Sequence, residues 1–345
     1  MPLEDAGPSG ADAGKGGKYL ILPPAYKGKV PTGYIPLQFD TYGGYALLRS
    51  NLKSHSDEDI AKSVAYGKRL KVYPLSAAAN PPETIFTDAK DVVFDSTIRY
   101  DISFFTSLNR IIQNQPWLER DRAMIDQLHS LGIEKGKPFD PDDTTSKALV
   151  EGIEEARDLM ESQYDAGLAP FFEGGRWTVP ALPGLLKAAQ SAYGDPNAYP
   201  IDDRSLTYTF AYIGIKRLGA GQFYLITIKD KDGKTFDGSK TYRVRVPADA
   251  PVEQYWSITA YDRQTHALIR GMPRASRSSQ IPELKKNADG SIDIFTGPKA
   301  PEGMETNWIP TDSKREFELM LRLYAPTKAF FEKNWVVPDV ERVSK

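Results

Sequence analysis

Apolar residues follow two different rhythms along this chain. Over 101–115, Phe104, Phe105, Leu108, Ile111 and Ile112 return every three or four positions, and Met124, Ile125, Leu128 and Leu131 do the same over 121–131. Such spacing predicts amphipathic helices. Leu149, Ile153, Ala156, Leu159 and Met160 predict a third helix over 146–164, and 183–193 reads as a fourth. From Tyr199 the period falls to two. Strands are predicted over 206–215, 222–229, 241–246, 255–261, 267–270, 291–296 and 317–324, separated by turns at Asp232-Gly233, 249–251, Asp289-Gly290 and 298–303. The tail, with Trp335 and Pro338, is expected to fold back onto these strands.

The first 96 residues are less regular. A glycine-rich arm (1–18) leads into a short apolar run stopped by Pro23 and Pro24, which predicts a strand. A second strand is expected over 41–52, a helix over 57–66 with Ser56 as its cap, and a further strand over 70–75. The expected fold class is mainly β with a helical insert, its last part a sandwich or jelly roll.

Composition narrows the function more than the fold. The 345 residues are 40% hydrophobic and 26% charged with a net charge of −2, an ordinary soluble composition without the basic excess of a nucleic-acid binder. No run approaches the roughly 18 apolar residues of a membrane span. With no cysteine, disulfides, thiolate metal sites and a cysteine nucleophile are excluded. The start shows no basic segment followed by an apolar one, so no signal peptide is read there.

Candidate chemistry is sparse. His55, His129 and His266 have no metal-ligand spacing, and no HExxH motif exists, so no metal or cofactor is expected. DKDGKTFD (230–237) lacks the oxygen ligands of a calcium loop and reads as a hairpin turn. The glycine-rich GKGGK (14–18) and LGAGQ (218–222) lack the context of a nucleotide loop. There is no G-x-S-x-G elbow. His266 closes DRQTH (262–266), where a Ser–His–Asp arrangement competes with a strand-end turn in which Asp262 bonds local backbone; the turn is the preferred reading.

Arginines carry the sharper signal. Arg270, Arg274 and Arg277 lie in RGMPRASRSS (270–279), a loop able to present guanidinium groups to a carboxylate or phosphate; the competing readings are a solvated loop with surface ion pairs and an anchor onto the helical domain. Arg99 and Tyr100 precede the first insert helix at an expected domain junction, where pockets form; the competing reading is domain anchoring with Asp101 as an N-cap. Tyr42, Tyr45, Tyr255, Trp256 and Trp308 either line an aryl- or sugar-binding cleft or, as is commoner at strand spacing, fill the core.

Several runs also resemble a known family. YWSITAYD (255–262), NADGSIDI (287–294), GPKAPEG (297–303), NWIP (307–310), LRLYAP (321–326) and WVVPDV (335–340) resemble, in order and spacing, the bacterial domain of unknown function 1214. TYGGYALLRSN (41–51) and VYPL (72–75) look like the end of its usual partner, the domain of unknown function 1254. The resemblance implies a partial β-sandwich over 1–96, an α-helical domain over 97–195 and a jelly-roll-like sandwich over 196–345. It also implies an N-terminal truncation relative to the family. Members are often exported, so the compartment is periplasmic or secreted if an upstream leader is missing and cytoplasmic otherwise. Residue patterns and resemblance together lead to a ligand-binding or assembly protein, with a homo-oligomer or a small anionic or aromatic ligand as partner. A hydrolase or lyase acting at an interdomain cleft is the alternative. The ligand residues expected are Arg99, Tyr100, Arg270, Arg274, Arg277 and Trp308.

Overall fold

The computed structural model describes residues 3–343 apart from 9, 51, 55, 90, 91, 94, 96, 167, 191–194, 196–199 and 212–220. His55, Gly219 and the end of the strand expected over 206–215 lie outside the described residues.

The chain is mainly β with a helical insert. Two sheets make the sandwich. In the first, β3 (Gln222–Thr227), β10 (Glu316–Pro326), β6 (Val252–Asp262) and β7 (Ser276–Ser278) lie side by side, with the short β4 (Phe236–Asp237) also paired to β10. In the second the order is β11 (Glu341–Arg342), β5 (Tyr242–Val246), β8 (Ile292–Gly297) and β9 (Trp308–Pro310), with β8 and β9 parallel. Alternate residues of each strand meet between the sheets: Leu319, Leu321 and Leu323 of β10, Leu225 of β3, Ile258 of β6, Val244 of β5 and Ile294 of β8 share one core. Trp335, Val337 and Val340 return to that core, and the Trp335 indole donates to Ala248 O.

The other face of the first sheet meets helices. α2 (Ile102–Asn114), α3 (Arg122–Ser130) and the first turns of α4 (Asp143–Ala166) enclose a small core around Phe105, Ile133 and Leu149. Asp101 caps α2, its carboxylate accepting from Ser103 N at 2.7 Å, as the sequence predicts. The far end of α4 leaves that core. Met160 and Tyr164 pack instead on Ile226 and Met320 of the sheet, together with Leu206 of the helix Ile201–Ala211. One helix thus ties the insert to the sandwich.

Four expected strands are absent among the described residues, one of them over 267–270, where Leu268 makes only an isolated bridge to Tyr261. The segment over 206–215 is helical as far as Ala211: Asp202 and Asp203 favour a helix start after Pro200, and burial of Leu206 against the sheet overrides its alternating pattern. The segments 41–52 and 70–75 form no strand among the described residues; only β1 (Tyr19–Leu22) and β2 (Ile35–Gln38) pair there, in parallel. α1 (Asp57–Gly67) is capped by Ser56 as expected, yet buries no side chain. This N-terminal region also exposes Tyr42, Tyr45, Leu47, Leu48, Val72 and Ile85.

Candidate functional site

The most concentrated chemistry sits where the end of α4 meets the sheet. Arg157, Glu161 and Asp165 recur every four residues, so they share one face of α4, and Tyr164 stands beside them. From the sheet, β6 ends in Asp262 and turns back. The Asp262 carboxylate accepts from Gln264 N at 3.1 Å and Thr265 N at 2.9 Å, the local turn expected from sequence. That turn throws Arg263 and His266 toward α4, with His266 in the left-handed region at φ 54°, a conformation histidine visits more often than most residues.

His266 is 5% exposed and held between two carboxylates. Its Nδ1 lies 3.1 Å from both oxygens of Glu318 on β10, and its Nε2 lies 3.1 Å from Glu161 Oε1. A carboxylate only accepts, so the short contacts of both ring nitrogens with carboxylates favour the imidazolium over the 3.4 Å approach of the Arg263 guanidinium to Nε2. Burial drives its pKa down, but the two carboxylates outweigh burial and hold it above the ordinary 6.5. Arg263 completes the cluster, donating to Glu161 Oε2 at 2.7 Å and to Asp165 Oδ1 at 2.8 Å. The Tyr164 hydroxyl donates to Glu318 at 3.3 Å, and its ring meets the His266 ring edge-on and lies under the Arg263 guanidinium. Burial, with Glu318 beside it, raises the Tyr164 pKa well above 10. Burial also raises the pKa of Glu161, but hydrogen bonds and charge from His266 and Arg263 prevail and leave it below the usual carboxylate value.

A cavity of about 450 Å³ opens over this cluster, lined by Arg157, Glu161, Asp165, Arg263, Lys314 and Arg315 with Thr235, Gln264 and Glu316. Its far wall is the loop before β10. Gly238 lets a neighbouring turn approach that loop, since a Cβ there would sit 2.0 Å from Asp312 O. Arg315 is spent on Asp262 in a two-pronged ion pair. Lys314 makes no ion pair among the described residues, and Arg157 has a buried Nε without a hydrogen-bond partner while its guanidinium lies 5.2 Å from the Tyr100 ring.

The six residues expected from sequence divide between places. Tyr100 supports Arg157 at this cavity. Arg99 pairs with Asp95 at 3.8 Å, and the exposed Arg270 also acts on Asp95. Arg274 and Arg277 line a second cavity of about 280 Å³ with Ile281, Glu283, Glu305 and Thr306. There Arg274 lies over the Trp308 ring at 5.9 Å and donates to Glu305 O, while Arg277 has a buried, unpartnered Nε. Among the aromatics, Trp256 is core, Tyr42 and Tyr45 are exposed, and Tyr255 stacks on Tyr324. Sequence reasoning missed Arg157, Glu161, Asp165, Arg263 and Glu318. The four-residue spacing on α4 and a lone acid inside the apolar run of β10 were the available signals.

These features define a two-sheet sandwich carrying a helical insert, with a charged cluster at their junction. The chain belongs to the family that pairs two domains described as proteins of unknown function: the DUF1254 model matches residues 3–74 and the DUF1214 model residues 221–328. The fold is similar to the crystal structure of the VPA0106 protein from Vibrio parahaemolyticus, at a TM-score of 0.52 and 18% identity over 97% of this chain and 77% of that one. An uncharacterized protein from Burkholderia cenocepacia matches at a TM-score of 0.26 and 14% identity, covering 46% of this chain and 47% of its own. No curated protein matches. No helix of the described residues is long and apolar enough to cross a membrane.

Proposed function

We propose that this protein binds a small anion in the cavity beside α4 and acts as a binding protein. The observation that supports it is that Arg157 and Lys314 face that cavity without a carboxylate partner among the described residues. The other cations there, Arg263 and Arg315, are already neutralised by Asp165, Glu161 and Asp262. A hydrolase or lyase fits less well. His266 has both nitrogens committed to carboxylates, and Glu161, which lines the cavity wall with Asp165 and Glu316, has a lowered pKa and is a weak base near neutrality. The proposal keeps the three-part division at 1–96, 97–195 and 196–345, with the ligand held where the second and third parts meet.

Calorimetry at low salt with inorganic phosphate and with succinate tests this. Saturable binding is expected, weakened about tenfold or more in the Arg157→Gln, Lys314→Gln double variant, since charged hydrogen bonds contribute about 1.5–3 kcal/mol each. Binding that survives there but vanishes in Arg274→Ala, Arg277→Ala would move the ligand to the smaller cavity. No saturable binding of either probe would overturn the reading.

Self-association is the second reading, with another copy of this chain as the partner. The exposed Tyr45, Leu47 and Leu48 favour it, because adjacent apolar side chains gain by mutual burial. Light scattering across concentration is expected to show an oligomer that Leu47→Ser, Leu48→Ser disperses. A monomer at every concentration would exclude it.

A further inference from the structure

A second polar cluster lies on the helix-facing side of the first sheet, independent of the cavity reading. Four residues along β10 from Glu318, about 13 Å at the rise of a strand, Arg322 points to the same face. The register places Tyr224, Arg322, Ser257 and Ser278 in one row across β3, β10, β6 and β7. The neighbouring row is Gln222, Tyr324 and Tyr255, with the two tyrosine rings stacked at 4.1 Å. On the other side the row holds Ile226, Met320 and Thr259.

Arg322 is unusual in its company. Its guanidinium lies 4.8 Å from the Tyr224 ring and 5.6 Å from the Tyr324 ring, and it donates once, to the Tyr224 hydroxyl at 3.1 Å. The Tyr224 hydroxyl in turn donates to Gln222. The Arg322 Nε is buried with no partner, and no carboxylate pairs with Arg322 among the described residues. Glu318, the acid on the same strand face, is occupied by His266 and Tyr164. An arginine does not deprotonate, so its charge must be met by something other than proton loss. Aromatic faces meet part of it; they do not supply an acceptor for Nε. Tyr224, Tyr255, Tyr261, Arg322 and Tyr324 all keep partial exposure, so the shelf is reachable from solvent.

We propose that Arg322 anchors a binding site for a small organic monocarboxylate with an apolar or aromatic body. The planar guanidinium fork matches a carboxylate, and one half-buried cation balances a single negative charge better than the two of a phosphate. The Tyr324–Tyr255 stack beside it offers apolar surface to the body of such an acid.

Benzoate and benzamide, nearly the same shape with and without the charge, are the probes for calorimetry on the full chain. Benzoate binds saturably and benzamide does not. Arg322→Gln weakens benzoate at least about tenfold, the value of a charged hydrogen bond lost. Ser257→Asp, in register beside Arg322, supplies an internal carboxylate and abolishes benzoate binding without lowering the melting temperature. Arg157→Gln, Lys314→Gln leaves benzoate binding intact, which separates this site from the cavity beside α4. If Arg322→Gln does not fold, Ser257→Asp and the benzamide comparison still decide. Wild-type protein with no saturable benzoate binding, or benzoate binding that persists in both Arg322→Gln and Ser257→Asp, overturns the proposal.

Discussion

Replacing His266 with Asn is expected to destabilise the protein by about 3–5 kcal/mol, the usual cost of removing one partner from a buried ion pair. Asn is the informative substitution because it tolerates the left-handed backbone at this position, so backbone strain is not added to the loss of charge. What remains is Glu161 and Glu318 facing each other with one cation, Arg263, bound to only the first of them. Chemical denaturation measures the loss. A change below about 1 kcal/mol would mean that the imidazolium contributes nothing beyond a surface pair. In a Glu318→Gln background the same substitution should cost less, and a double-mutant cycle reads the coupling.

The pH dependence follows from the directions of the two shifts. The folded His266 pKa is raised above 6.5, so its contribution is fully present below 6.5 and is lost as pH rises through the folded value. The folded Glu161 pKa is lowered below 4.5, so its contribution is present above 4.5 and is lost as pH falls through the folded value. The difference in melting temperature between wild type and His266→Asn is therefore largest between 4.5 and 6.5 and narrows toward alkaline pH. Arg263, Asp165 and Tyr164 also face this cluster; Arg263 stays charged and Tyr164 stays neutral throughout that window, because their pKa values are raised. A difference that grows with pH would place the ring in its neutral form.

The second large effect is expected at Trp177, where Ala should cost about 3–5 kcal/mol. The indole is fully buried in the sandwich core, and its Nε1 donates to Pro338 O at 3.1 Å. It therefore joins the 170–178 segment to the returning tail. Thr178, the next residue, exchanges backbone hydrogen bonds with Ile226 on β3 at 2.8 Å each way. Loss of the ring removes core volume and leaves Pro338 O without this donor. A urea titration is expected to show a lower midpoint with an unchanged slope. Trp177→Phe, which keeps a ring but loses the donor, should fall between the two. An alanine variant as stable as wild type would show that the core closes over the gap.

Residues 101–164 announced their helices because apolar side chains there repeat at helical spacing and Asp101 supplies a cap; local physics is sufficient for such elements. The strands from Gln222 to Pro326 were legible for the same reason, with Gly233 and Gly290 marking their turns by positive φ. Local pattern failed at Leu206, where an alternating run became helix because one face packs on Ile226 and Met320. Short edge strands such as β7 and β9 carry too few residues to show a period.

The charged cluster was legible only in fragments. The turn at Asp262 is local, so sequence predicted it, and the loop arginines 274 and 277 do line a cavity. That His266 meets Glu161 and Glu318 depends on contacts spanning 105 and 52 residues, which no local spacing encodes. The chain by itself determined the helices over 101–164, the longer strands of the sandwich and the family they form, because those rest on short-range periodicity and on ordered motifs. Only the tertiary structure decided which acids surround the buried histidine and which arginines remain without one. Charge compensation is settled by distance in space, and α4 brings its carboxylates to the sheet only after both have folded.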